Sequence, residues 1–281
     1  MLKIISLLLI AASSPVLLLA QKKSPQGNLF IIGGGNRGPE LMKTMLDVAK
    51  LSPADYIVVL PMASEEPDSA FFYMKKSLEG ITANVMVCLR FDSNDAPGSR
   101  LDSLGKAKLI FISGGDQSRF MKSIKYTPVA SVIQQAYNSG ATIAGTSAGA
   151  AVMSKQMITG KELISNTGYN ATFKKIVKGN IEFEPGLGLL KNAIVDQHFI
   201  VRSRYNRLIS ALSEHPDQLC IGIDEATAII VKPGNKISVT GEAQVLVLSK
   251  PRNTGITAKG LIYAGEIVMS IYVAGQEFAI R

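Results

Sequence analysis

Short runs of Val, Ile, Leu and Phe alternate with stretches of helical pattern along the first half of the chain. "NLFIIGGG" (28–35) predicts a buried strand that runs into glycines, followed by a helix from Pro39 to about Lys50. "YIVVLPM" (56–62) predicts a second strand, with a helix over about 67–79 behind it. "ANVMVCL" (83–89) and "AKLIFISGG" (107–115) predict the third and fourth strands. A helix over 128–139 then leads to a fifth strand, "ATIAGT" (141–146), and "AGAAVMS" opens another helix. Continuous apolar runs separated by helices indicate a parallel sheet covered on both faces. Working loops in such sheets gather at the carboxyl ends of the strands.

Beyond residue 156 the pattern changes. Residues 157–186 read as irregular, with turn chemistry in "GYNATF" and "EFEPGLG". A helix over about 201–214 and the strands "LCIGID" and "ATAIIVK" follow, and short alternating strands after 236 predict an antiparallel tail that closes the sheet. No linker and no internal repeat divides the chain, so residues 21–281 read as one catalytic domain.

Residues 1–20, "MLKIISLLLIAASSPVLLLA", have one lysine, a long apolar run and a small residue at Ala20, the layout of a secretory signal peptide. Export to the periplasm or beyond is expected, with no stable membrane association after cleavage. An uncleaved anchor is the alternative, because the run is just long enough to span a bilayer. Removal leaves 281 − 20 = 261 residues, and the net charge of +8 falls to +7 with Lys3. The basic residues are scattered apart from a cluster at 202–207, which gives no nucleic-acid footprint. Cys88 and Cys220 lie in apolar runs and read as two buried thiols. With two histidines and two cysteines in all, a zinc site is poorly provisioned, and neither metal nor cofactor is expected.

Candidate chemistry enters with "AGTSAGAAVMS" (144–154). Gly145-Thr146-Ser147-Ala148-Gly149 is a G-x-S-x-G pentapeptide between a predicted strand and a helix, the context of a nucleophile elbow. Alone it reads equally as a helix cap with packing glycines. If Ser147 is a nucleophile, the Ala148 amide at the helix start faces a developing oxyanion. Gly114 and Gly115 in "FISGGDQSR" can supply a second N–H, and Asp116 and Gln117 present polar groups beside them.

A serine hydroxyl needs a base. His198 closes a strand-like run in "IVDQHF", whereas His215 in "LSEHPDQ" reads as a solvated loop residue. His198 is therefore the candidate base. Asp224 and Glu225 in "CIGIDEATAI" stand together at a strand end as candidate orienting acids. The order serine, histidine, acid differs from the serine, acid, histidine of α/β-hydrolases. Arg202, Arg204 and Arg207 follow the candidate base and suit either a solvated face or the binding of carboxylates.

Together "FISGGDQ", "GTSAGA", "GLGLL…AIVDQHF", the arginines four, six and nine residues after His198, and "GIDEATA" resemble the serine-peptidase family that contains cyanophycinase and aspartyl dipeptidase (peptidase E). "DQHF" with its three arginines points to the cyanophycinase branch. The resemblance spans 111–228 and implies a three-layer α/β sandwich with a mostly parallel sheet, similar to class I glutamine amidotransferases (flavodoxin-like). It implies Ser147 as nucleophile, His198 as base and Glu225 as orienting acid, beside the oxyanion hole that the residues themselves suggest at Gly115 and Ala148. Gln117, Asp196, Gln197, Arg202, Arg204 and Arg207 would line the substrate pocket. The implied substrate is cyanophycin, poly-aspartate bearing arginine on each β-carboxyl, cut to β-aspartyl-arginine by a homodimer without metal.

This chain departs from the family at Ala151, where a small hydroxyl residue is common, and "GGGNRGPE" and 165–180 match no family pattern. Three rivals stand beside this reading. One is a secreted aspartyl or isoaspartyl dipeptidase, and another is a relative that binds polymer without cutting it. The third is a dinucleotide-binding oxidoreductase, suggested by Gly33, Gly35 and Gly38 as G-x-G-x-x-G.

Overall fold

The computed structural model describes residues 24–164 and 172–280. Along the chain these form β1 (Leu29–Ile32), α1 (Pro39–Ala49), β2 (Tyr56–Leu60), α2 (Pro67–Leu78), β3 (Val85–Cys88), α3 (Gly98–Lys106), β4 (Leu109–Ile112), α4 (Gln117–Ser123), α5 (Val129–Asn138), β5 (Thr142–Thr146) and α6 (Ala148–Ala151). The second half adds β6 (Gln156–Glu162), β7 (Ile181–Pro185), β8 (Ala193–Gln197), α7 (Tyr205–Glu214), β9 (Leu219–Ile223), β10 (Thr227–Lys232), β11 (Lys236–Gly241), β12 (Val245–Ile256), β13 (Ile262–Tyr272) and β14 (Glu277–Ala279). The predicted signal peptide, most of the GYNATF turn and the start of the unmatched 165–180 segment lie outside the described residues.

An eight-stranded sheet in the order β14-β11-β10-β1-β5-β4-β2-β3 forms the centre. Its β1, β5, β4, β2 and β3 are parallel, and β10, β11 and β14 continue it antiparallel. A flavodoxin-like order of 2-1-3-4-5 is followed through β3-β2-β4-β5, but the next place is taken by β1, the first strand of the chain.

The continuous apolar runs are explained by alternation across this sheet. Leu29, Ile31, Val58, Leu60, Ile110 and Ile112 face a core closed by α5 and α6, whereas Phe30, Ile32, Ile57, Val59, Leu109 and Phe111 face a core closed by α1 and α2. With both faces buried, every position of a strand must be apolar. Pro39 and Pro67 start α1 and α2, where a missing N–H costs nothing. Asp116 caps α4 by accepting from the Arg119 amide at 2.9 Å.

The antiparallel tail does more than close the first sheet. β11 and β14 extend it, but β12 and β13 are long and join β9 and β8 in a second sheet, ordered β13-β12-β9-β8. Val195, Ile221, Ile223, Val245 and Val247 of this sheet share the core of the first sheet, and Ile194, Cys220, Leu246 and Leu248 pack with α7 on the far side. Part of the region read as irregular, 157–186, is an antiparallel ribbon of β6 and β7. The helix expected from 201 begins at Tyr205, because residues 199–204 turn back on themselves: Arg202 N donates to His198 O at 3.1 Å and Arg204 N to Phe199 O at 3.0 Å. Both cysteines are free; Cys220 is buried, where desolvation raises its thiol pKa, but Cys88 is only half-buried on the edge strand β3.

Candidate active site

Five strands end at one place. Ser147 follows β5, His198 follows β8, Glu225 lies just past β9, the Gly33–Gly35 run follows β1, and Gly114–Gly115 lie just past β4. Ser147 sits at φ 52 and ψ −110, a sparsely populated conformation held by its amide donating to Ile32 O at 3.1 Å. A Cβ at residue 145 would fall 2.3 Å from Gly149 O, and one at residue 149 would fall 2.2 Å from Ile112 O. The glycines of the pentapeptide thus seat α6 against β4 and β5, with Ser147 Oγ left half-buried at the rim.

Ser147 Oγ and His198 Nε2 are 2.8 Å apart, and His198 Nδ1 is 2.5 Å from Glu225 Oε1. A carboxylate only accepts, so Nδ1 carries the hydrogen and Nε2 offers its lone pair to the hydroxyl. Of the two candidate acids, Glu225 meets the imidazole. Asp224 is buried and accepts from the amides of Ile200 and Val201, both at 3.1 Å, which shapes the turn after His198. Burial holds the His198 imidazole below its ordinary pKa; the Glu225 hydrogen bond opposes this, and the nearby Arg202 and Arg204 charges add to the depression. His215 packs edge-on against Phe183 with ring centroids 4.7 Å apart, half-buried rather than solvated.

The glycine run after β1, which suggested a dinucleotide-binding motif in the sequence, packs in the fold against the histidine and the glutamate. A Cβ at residue 34 would lie 2.3 Å from His198 Cε1, and one at residue 35 would lie 2.6 Å from Glu225 Oε2. The same run also holds the triad backbone, with His198 N donating to Gly33 O at 2.7 Å and Ala226 N to Gly34 O at 2.9 Å. Of the three glycines that matched a dinucleotide pattern, Gly35 is required by the close approach of the Glu225 carboxylate and Gly33 by that of the Asp224 carbonyl, while Gly38 makes only an ordinary contact with Glu242. The local signal was three glycines at a strand end, and it carried no information about what would pack there.

On the other flank, a Cβ at Gly114 would lie 3.5 Å from Ser147 Cβ, while Gly115 takes φ +136 and abuts Ala63 O. The Ala148 amide is the first of α6 and has no acceptor within the helix. Gln117 is buried and donates to Ile158 O at 2.9 Å and Thr159 O at 2.8 Å, tying α4 to β6.

The remaining sequence-predicted pocket residues, Arg202 excepted, form one buried network with each other. Asp196 is fully buried, and its Oδ2 accepts from Arg207 Nε at 2.8 Å while its Oδ1 accepts from Arg207 Nη2. Arg204 Nη1 reaches Gln197 O at 2.6 Å and Gln197 Oε1 at 2.8 Å. The bidentate pair satisfies two charges that would be costly to bury singly, and it fastens α7 to β8 directly beneath His198. Of this set only Arg202 is exposed.

A hydroxyl, an imidazole and a carboxylate in series at the carboxyl edge of an α/β sheet form the arrangement that serine hydrolases use. The profile of peptidase family S51 matches residues 29–239, and the chain belongs to that family of peptidases. It is 35% identical over 237 residues to the cyanophycinase of Nostoc sp. (strain PCC 7120), covering 81% of this chain and 76% of that protein. It is 33% identical over 258 residues to the cyanophycinase of Synechococcus elongatus, covering 90% and 76%. In fold it is similar to a crystal structure of a peptidase from an acI-B1 Actinobacterium, with a TM-score of 0.64 at 21% identity over 91% of this chain and 98% of that one.

Proposed function

We propose that the chain is an exported serine peptidase that hydrolyses cyanophycin to β-aspartyl-arginine dipeptides through an acyl-enzyme on Ser147. The observation that carries this reading is the Ser147–His198–Glu225 hydrogen-bonded series in a chain similar to cyanophycinases over most of its length. His198 Nε2 takes the Oγ proton as Oγ attacks the backbone carbonyl, and Glu225 stabilises the imidazolium so formed. The amides of Ala148 and Gly115 are assigned to the oxyanion. His198 then returns the proton to the departing amine, and water, deprotonated by the same imidazole, releases the dipeptide.

Arg202, exposed beside His198, is assigned to substrate carboxylates, and the buried Asp196–Gln197–Arg204–Arg207 network to shaping the pocket wall. Residues 21–281 act as one catalytic unit after loss of residues 1–20. The chain works as a homodimer through β13, the outer edge of the second sheet, where Tyr263, Val268, Met269 and Ile271 are exposed. Antiparallel self-pairing about Ile267 sets Glu266 opposite Val268 and opposes no like charges.

Incubating mature protein with cyanophycin and with aspartyl and isoaspartyl dipeptides tests the substrate. Release of β-aspartyl-arginine from polymer supports the reading, and cleavage of the dipeptides alone replaces it with a secreted dipeptidase.

A further inference from the structure

The turn that carries Arg202 is pinned at both ends. Phe199 is fully buried against Gly222 of β9, where a Cβ would fall 2.4 Å from Phe199 Cγ. Arg204 is buried too, with Nη1 on Gln197. Between them Val201, Arg202 and Ser203 are exposed, and Ser203 takes left-handed backbone at φ 48. Exposed residues contribute little burial to hold such a turn, so its middle depends on hydrogen bonds. The amides of Ile200 and Val201 both donate to Asp224 Oδ1, each at 3.1 Å.

Asp224 is itself firmly placed. It is buried, its amide donates to Gln244 O at 3.2 Å, and a Cβ at residue 33 would fall 2.1 Å from its carbonyl oxygen. A carboxylate across two consecutive amides is a charge-assisted clamp. The next residue, Glu225, holds His198 Nδ1. The Asp224-Glu225 dipeptide therefore grips one stretch twice, by the imidazole of His198 and by the backbone two and three residues later. The charged groups acting on that imidazole are Glu225, Arg202 and Arg204, with Arg202 ahead of Arg204. Ser147 and Gly34, which also lie against the ring, bring no charge. Arg204 has its own hold on Gln197, so a loosened clamp frees Arg202 alone.

We propose that Asp224 is a positioning residue that acts through Arg202: by clamping the Ile200 and Val201 amides it keeps the Arg202 guanidinium beside the base, at the place where substrate arrives. The effect on substrate rests on the assignment of Arg202 to substrate carboxylates. The effect on the base does not depend on which substrate is cut.

The test follows the rate at which a fluorophosphonate labels Ser147 as a function of pH. Labelling needs neutral His198, so its acid midpoint reports the base without any peptide substrate. Asp224→Ala is expected to raise the midpoint, because the Arg202 charge is no longer held at the ring. Loss of the Asp224 charge by itself has the opposite sign, since removing a carboxylate lowers an imidazole pKa. The double variant Asp224→Ala, Arg202→Gln is expected to share the midpoint of Arg202→Gln alone. Asp224→Asn keeps an Oδ1 for both amides and is expected to lie closer to wild type than Asp224→Ala. An unmoved or lowered midpoint in Asp224→Ala, or shifts that add in the double variant, overturn the proposal. If Asp224→Ala does not fold, Asp224→Ser, whose shorter side chain withdraws the shared acceptor, decides by the same midpoints. On cyanophycin Asp224→Ala is expected to lose about 10-fold in kcat/KM, carried by KM, as for a weakened charged contact. An equal further loss in the Arg202→Gln background overturns the action through Arg202. A wild type that is labelled but cuts no cyanophycin overturns the substrate reading alone, and the midpoints still decide the positioning role. A wild type that is not labelled at any pH overturns both.

Discussion

Three residues of the site take left-handed backbone: Ser147 at φ 52, His198 at φ 49 and Ala226 at φ 51. Each costs about 1–3 kcal/mol, and each is tied by its amide to Ile32, Gly33 or Gly34 at the end of β1. That shared anchor keeps the hydroxyl, imidazole and carboxylate in line. Protonation of His198 removes the base, and its pKa is held below the ordinary 6.5, first by burial and in part by Arg202. The acid limb of kcat/KM is therefore expected to have its midpoint below 6.5. Arg202→Gln removes a depressing positive charge, so the midpoint is expected to move up. A pH profile with an unmoved or lowered midpoint in that variant counts against the assignment. Because the folded value lies below the unfolded one, the stability contributed by neutral His198 is present above 6.5 and is lost as pH falls through the folded value.

At the scale of elements, what could be read from the sequence followed burial. β1, β2, β4 and β5 were legible because both faces are covered and their runs are unbroken. α3 went unseen because "GSRLDSLGK" buries only Leu104, and α4 because it spans only Gln117–Ser123. β6 and β7 pair mainly with each other and mix polar with apolar residues, so their stretch read as irregular. The strand ends bearing Ser147, His198 and Glu225 were placed correctly, and the choice of Glu225 over Asp224 came from family resemblance, since both lie at the same strand end. The Gly33–Gly35 run suggested a dinucleotide-binding motif, and its packing against His198 and Glu225 could not be foreseen because those groups lie far along the chain. That contact gives a prediction: Gly34→Ala, with φ +115 and a Cβ set 2.3 Å from His198 Cε1, displaces the imidazole. A shift of this size is expected to cost at least about 100-fold in kcat/KM, with about 1–3 kcal/mol of stability lost. Kinetics and thermal unfolding measure the two, and near-wild-type turnover contradicts the packing account.

For the whole molecule, the sequence indicated an antiparallel tail but not its division between two sheets. Side-chain alternation cannot say which sheet a strand joins, and the join is made by long-range packing of Val195, Ile221 and Val245 on the first sheet's core. The second sheet carries His198 and Glu225 at the ends of β8 and β9, so stacking the sheets is what assembles the triad. Its outer strand β13 gives the assembly prediction: the double variant Met269→Lys, Ile271→Lys is expected to convert a dimer to a monomer in light scattering after size exclusion. A wild type that is already monomeric, or a double variant that stays dimeric, contradicts it.

The most direct test is mass spectrometry of the soluble products formed from cyanophycin by the mature protein and by Ser147→Ala. The account predicts β-aspartyl-arginine from the wild type and a rate lower by about 10⁴- to 10⁶-fold in the variant, as for loss of a triad nucleophile. Equal release by both proteins, or none by the wild type, would contradict it.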